Sequence, residues 1–289
     1  MYETANASME RTNEPECAAR VECLEFSVTV HAFKAFVNDL ASIAYECKIT
    51  IESIDGLKVR VVDPAHIAMV DTGIAIEVFE KWTLTPSNAY IGSFGVDLEK
   101  LKVYLKAFKA KDKDTVLSVK VDMVARKMTI DGPTGSRVIS LIDDTGMSDL
   151  KVPNMGLPTE IVVKDAKLFR SALKMASEIS DYIAMRYDGG DKSLWLECEG
   201  DMDKMATKVE VEVVKSETTT VQKTIDGEVQ SVQTEDSRSV FALEYLVKLT
   251  KDLPNGFRIC MGNNYPLKIA VGKTVKLLAP RIESDDDDY

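Results

Sequence analysis

Histidine is nearly missing from this 289-residue chain, which holds two, His31 and His66. With no HExxH motif and no Cys/His spacing beside them, a histidine-built metal centre is not expected. The five cysteines, Cys17, Cys23, Cys47, Cys198 and Cys260, are odd in number and widely spread, and none pairs as CxxC. That pattern argues against a disulfide framework, a zinc site or a redox motif and leaves inert thiols. No apolar run approaches the roughly 18 to 20 residues of a membrane span, and the first twenty residues lack the apolar core of a signal peptide. An intracellular protein without membrane contact is expected. There is also no phosphate-binding glycine loop and no nucleophile elbow, so no cofactor is expected.

What is present describes an ordinary globular chain: 45% hydrophobic, 29% charged, with a formal net charge of -11. Its length implies two domains. Residues 1–20 are polar and aperiodic and are expected to be a flexible extension. From Val21 onward, "CLEFSVTV" alternates as a strand, and "HAFKAFVNDLASIA" places Phe33, Phe36, Val37, Leu40 and Ala44 on one helical face. A hairpin, further strands, a lysine-rich helix over 97–113 and three more strands follow. "DDTGMSDLKVPNMGLP" then interrupts with glycine, proline and aspartate, as linkers or functional loops do. After it the order repeats: a strand, the helix "DAKLFRSALKMASEI", strands, the helix "FALEYLVKLTKDL" and three short strands. Phe33 to Val59 and Phe169 to Trp195 are both 26 residues apart, which suggests an internal duplication. "TVQKTIDGEVQSV" reads as a hairpin inserted in the second repeat, turning at Asp226-Gly227. The fold class is therefore α+β: two similar domains of antiparallel sheet with helices on one face. The expected boundaries are domain 1 at 21–143, a connector at 144–158, domain 2 at 159–283 and an acidic tail at 284–289.

The helices carry a charge pattern at odds with the acidic whole. At about 100° per residue, Lys102, Lys106, Lys109 and Lys113 form one line roughly 90° from the apolar stripe. Lys167, Arg170 and Lys174 form a similar row on the next helix, Lys248 and Lys251 lie on the last, and Lys34 lies on the first. On one helix such a row is an ordinary solvated face. On four helices lining a common surface it separates charge by face, and a positive face without base-reading motifs suits sequence-independent phosphate contact.

The segments "VVDPAHIAMVD", "GVDLEKLKVYLKAFKAKD", "DLKVPNMGLP", "SDYIAMRY" and "LLAPRIE" stand in an order that resembles the sliding clamps of the proliferating cell nuclear antigen family over about residues 21–283. The resemblance implies a non-enzymatic processivity factor for DNA replication and repair: a ring of three subunits around duplex DNA, with helices lining the hole and sheets outside. The ten basic residues above would then face DNA, although Glu244 stands where relatives often carry a basic residue. It implies a subunit interface between a strand carrying Arg137, Ile139 and Leu141 and one carrying Met205, Thr207 and Val209 of the next copy. It also implies a pocket for short peptides of polymerase, clamp loader, ligase and nuclease, built from Val62, His66, Ile67, Leu150, Val152, Pro153, Pro266, Leu277, Ala279 and Pro280. The location it implies is the cytoplasm at the nucleoid, or the nucleus in a eukaryote.

Two alternatives use the same residues differently. A heteromeric ring would need unlike neighbours at the same strand edges. A metal-dependent nuclease would need carboxylates such as Asp181, Glu199 and Asp201 to converge, although acids at turns are common.

Overall fold

The computed structural model describes residues 20–89, 91–108, 114–133, 135–147, 151–225 and 228–282, with main chain alone at 223–225 and 228–230. The expectations for residues 1–19 and the acidic tail, for Lys109, Lys113 and Leu150, and for the Asp226-Gly227 turn lie outside the described residues.

The first half of the chain comprises β1 (Cys23–Thr29), α1 (Val30–Leu40), β2 (Glu46–Glu52), β3 (Gly56–Val62), β4 (Ala68–Ala75), β5 (Lys81–Thr85), β6 (Ile91–Asp97), α2 (Leu98–Leu105), β7 (Val116–Asp122), β8 (Lys127–Gly132) and β9 (Gly135–Ser140). The second half adds β10 (Thr159–Val163), α3 (Ala166–Ala176), β11 (Tyr182–Asp188), β12 (Ser193–Glu199), β13 (Lys204–Ser216), β14 (Thr219–Ile225), β15 (Glu228–Thr234), β16 (Ser237–Ala242), α4 (Leu243–Thr250), β17 (Phe257–Met261), β18 (Leu267–Val271) and β19 (Thr274–Leu278). The pairings of the named strands are antiparallel. One sheet runs β5-β1-β7-β8-β9, a second of twelve strands runs β16-β11-β12-β13-β10-β17-β18-β19-β4-β3-β2-β6, and β14 and β15 form a separate ribbon.

Each element follows from local chemistry. In β1, Leu24, Phe26 and Val28 alternate with half-exposed residues and are buried, as one covered face requires. Helix α1 starts where Thr29 Oγ1 accepts the N–H of Ala32, and α3 where Asp165 accepts those of Lys167 and Leu168; both are side-chain caps for otherwise unpaired donors. Their apolar stripes, Phe33, Phe36, Val37 and Leu40 against Phe169, Ala172, Leu173 and Ala176, are buried. Helices pack in pairs, α1 with α2 and α3 with α4.

The structure corrects the sequence reading in two places. The lysine helix is shorter than 97–113: it ends at Leu105, Lys106 is its C-cap, and Phe108 folds back into the core against Tyr104. Lys106 therefore stands at a helix end. The matched 26-residue spacings also do not mark equivalent places. Val59 is buried, whereas Trp195 lies on the other face, its ring beneath Arg186 and Lys208. The two halves keep the same spacing up to β2 and β11, which begin at matching distances from the caps, Thr29 to Glu46 and Asp165 to Tyr182. It slips afterwards, because three residues separate β2 from β3 and four separate β11 from β12, and one extra residue inverts a strand's faces.

The halves join through the pairing of β19 with β4. Three side-chain links cross that seam. Buried Lys276 donates to Asp39 Oδ1 at 2.7 Å and to the Leu249 carbonyl at 2.8 Å. Tyr245 donates its hydroxyl to Asp63 at 2.8 Å, and the Thr72 and Thr274 hydroxyls meet at 2.7 Å.

Candidate DNA-facing and peptide-binding surfaces

The basic residues lie on the helix side but differ in freedom. Lys106, Lys167, Lys174 and Lys251 are exposed. Lys34 and Arg170 occupy equivalent places, five residues past their caps, and each is tied to a carbonyl beyond its partner helix: Lys34 Nζ to Phe108 O at 3.2 Å, Arg170 Nη1 to Leu253 O at 2.6 Å. Both line a cleft of about 700 Å³ between the halves, together with His31, Lys251 and Lys276. The row is less purely cationic than its spacing suggested, since Lys102 pairs with Glu99 at 3.0 Å and Lys248 with Glu244 at 2.6 Å. Exposed pairs of this kind are worth about 0.2 to 1 kcal/mol, so both lysines can turn to a phosphate at small cost.

On β19, Lys276 and Leu278 point to the helices and the main core, while Leu277 is buried outside that core. Alternation therefore puts Leu277 on the face away from the helices. Part of the predicted peptide site is brought together around it: β3 ends at Val62 and pairs with β4, Leu277 pairs with Met69, the Ala279 N–H donates to the Ile67 carbonyl at 2.8 Å, and Pro266 precedes β18, which pairs with β19; among the described residues no hydrogen bond ties Val152 or Pro153 to this group. His66 and Pro153 are exposed, while Val62, Ile67, Val152, Pro266, Ala279 and Pro280 are half-buried.

Sequence reasoning missed Asp63, which organises this loop. It is 2% exposed, and its carboxylate accepts the N–H groups of Ala65, Ile67 and Ala68 at 2.6 to 2.9 Å. Burial alone would raise its pKa, but these donors and the Tyr245 hydroxyl outweigh it and hold the carboxyl below the usual range. The signal was the Asp-Pro pair, since aspartate commonly accepts from backbone two residues on.

The predicted interface strands are both edges. Among the described residues, β9 pairs with β8 alone and Lys204–Glu210 of β13 pair with β12 alone. Arg137 is exposed over the Tyr104 ring, and Leu141, Met205 and Thr207 are half-buried. Ile139 and Val209 are buried in the chain's own core, so at these two positions a neighbour would meet main chain. Exposed apolar residues that the sequence reading passed over lie at the two edges: Val138 on β9 with Val103 beside it, and Leu168 and Met175 on α3, which packs on β13.

Asp181, Glu199 and Asp201 form no metal-ligating group; among the described residues no three His, Cys, Asp or Glu side chains are placed to hold a metal ion. No described helix is long and apolar enough to cross a membrane.

No family model matches the chain. The DNA polymerase sliding clamp of Methanococcoides burtonii is 31% identical to it over 271 residues, which is 90% of this chain and 100% of that protein. Among solved structures, A. fulgidus PCNA bound to the C-terminal region of FEN-1 superposes with a TM-score of 0.72 at 24% identity, covering 91% of this chain and 100% of that one. The PCNA2-PCNA3 complex of Sulfolobus tokodaii gives 0.66 at 24% identity over 90% and 100%. With antiparallel sheets, paired helices on one side and near-complete coverage of a sliding clamp at this identity, the chain belongs to the DNA polymerase sliding clamp family of the archaeal PCNA type.

Proposed function

We propose that three copies of this chain close head to tail around duplex DNA and tether polymerase and other DNA-processing enzymes to it. The observation that carries the ring is the pair of unlike free edges, β9 in the first half and Lys204–Glu210 in the second. Edges with unpaired donors and acceptors invite strand addition, and unlike edges make a heterologous contact that closes when the rotation fits. Within such a ring the division would be 21–143 and 159–283, joined by 144–158. The helices carrying Lys34, Lys102, Lys106, Lys167, Arg170, Lys174, Lys248 and Lys251 would face the backbone. Enclosure holds the duplex, so weak, salt-sensitive phosphate contacts suffice and sliding stays easy.

The face around Leu277 would receive short peptides of polymerase, clamp loader, ligase and nuclease, raising their concentration at the DNA. Its proline-bearing wall and half-buried aliphatics suit an apolar or aromatic anchor. The chain itself would contribute no catalytic step. Metal-dependent DNA cleavage that alanine at Asp181, Glu199 and Asp201 abolishes would contradict this.

The test is topological. Loaded by its clamp loader on nicked circular DNA, the chain should stay bound through a high-salt wash and be lost once the circle is cut. Equal retention on circular and linear DNA would overturn the proposal. A ring of unlike subunits is the second reading, favoured by the two-component complex among the similar structures; failure to self-associate would select it.

A further inference from the structure

The loop between β3 and β4 walls the peptide-binding face, yet part of what holds it comes from the helix side. His66 has φ 57°, a left-handed conformation that costs a non-glycine residue energy and must be supported by its surroundings. The support is Asp63, whose Oδ1 binds the Ile67 and Ala68 N–H groups while Oδ2 binds that of Ala65. Oδ2 also accepts the Tyr245 hydroxyl, which reaches it from α4 in the other half of the chain. Beyond the loop, the Ile67 carbonyl takes the Ala279 N–H. On the far side, Lys248 lies 5.7 Å above the Tyr245 ring. Hydrogen bonds thus run from a helix proposed to face DNA, through one buried carboxylate, to the first residue of β4 and, by way of the Ile67 main chain, to Ala279 just past β19. The Asp63 contact pushes the Tyr245 phenol up to about 12.

We infer that Tyr245 is a positioning residue for client-peptide binding: through Asp63 it sets the His66–Ile67 loop, and a peptide seated at that loop is thereby felt at α4. This rests on the peptide-site reading above. It makes the two functional faces of one subunit energetically linked, and such linkage is reciprocal.

The test uses the full chain and, as probe, a fluorescein-labelled C-terminal FEN-1 peptide. Tyr245→Phe removes one hydroxyl and should weaken binding roughly tenfold. In the parent chain, a tyrosine bearing one ring fluorine at position 245 should change its fluorine resonance when unlabelled peptide is added. Ile67→Asp serves as the pocket control. If Ile67→Asp binds as the parent does, the peptide-site reading fails. If Ile67→Asp loses binding while Tyr245→Phe keeps parental affinity, the site stands and the positioning role is overturned. A silent fluorine resonance also overturns the link to α4, even where Tyr245→Phe binds weakly, because a merely structural hydroxyl would not report the peptide. The fluorine measurement decides the matter should Tyr245→Phe fail to fold.

Discussion

The two halves of the chain solve one packing problem with different side chains. Each opens a helix on a side-chain cap, Thr29 or Asp165, and five residues later places a cation, Lys34 or Arg170, against a carbonyl beyond the partner helix. The halves part company at the loop after the third strand. In the first half that loop is organised by buried Asp63; in the second, residues 200–203 are closed by a Gly200 to Asp203 main-chain bond and carry Met202 at 95% exposure. The halves share the helix face and differ in this loop. Under the proposed function one cationic face would serve both halves, because any duplex phosphate meets the same kind of cation, whereas a peptide pocket would need one particular wall.

The largest expected effect probes the seam that joins the halves. Lys276→Met leaves Asp39 without its partner at a nearly closed site, with side-chain exposures of 4% and 24%. Removing one member of a buried pair typically costs about 3 to 5 kcal/mol, and partial exposure of Asp39 puts the expectation near the lower end. Urea unfolding measures it; a loss below about 1 kcal/mol would mean that the Lys276 link adds little to the other contacts that join the halves.

The second prediction separates the two loops by pH. Asp63 has a folded pKa held below its unfolded value of about 3.9. It therefore contributes stability that is present above that value and is lost as pH falls through the folded pKa. Asp63→Asn should lower stability at neutral pH and flatten the acid limb of the stability profile, while Asp203→Asn, in a loop closed by a main-chain bond, should leave stability at neutral pH unchanged. Equal losses at neutral pH for the two variants would erase the contrast.

Smaller effects test the shared plan. Lys34→Met and Arg170→Met should each cost about 1 to 2 kcal/mol as lost charge-assisted bonds, and unequal urea midpoints would show that the two cations are not equivalent. Thr29→Ala and Asp165→Ala should each cost about 1 kcal/mol, with Asp165 the larger because it accepts two N–H groups.

These comparisons also show what periodicity could reveal. The apolar stripes of α1 and α3 were legible because burial repeats with the helix, as Phe33, Leu40, Phe169 and Leu173 do. The end of α2 was not, because Phe108 keeps helical spacing while the chain there has already turned. Nor could spacing detect the extra residue between β11 and β12, where Lys192 adopts φ 53° and Trp195 changes face. Lys276 reads as a surface lysine in an alternating strand, and only the neighbouring α1 and α4 make it a buried link. At the proposed peptide site, "VVDPAHIAMVD" holds Asp63, but its link to Tyr245 depends on a contact 182 residues away in sequence. At the edge strands the resemblance points to Ile139 and Val209, whose side chains the fold turns into its own core, while Val138 is an exposed apolar residue of β9; which side faces inward depends on packing that the strand pattern does not carry.

The central claim is that two unlike edges of one chain close a ring of identical copies. Native molar mass by light scattering over a dilution series tests it most directly. The account predicts a mass of about three times the 32.0 kDa chain, held over a wide concentration range. A folded chain that stays at 32.0 kDa at every concentration would contradict it.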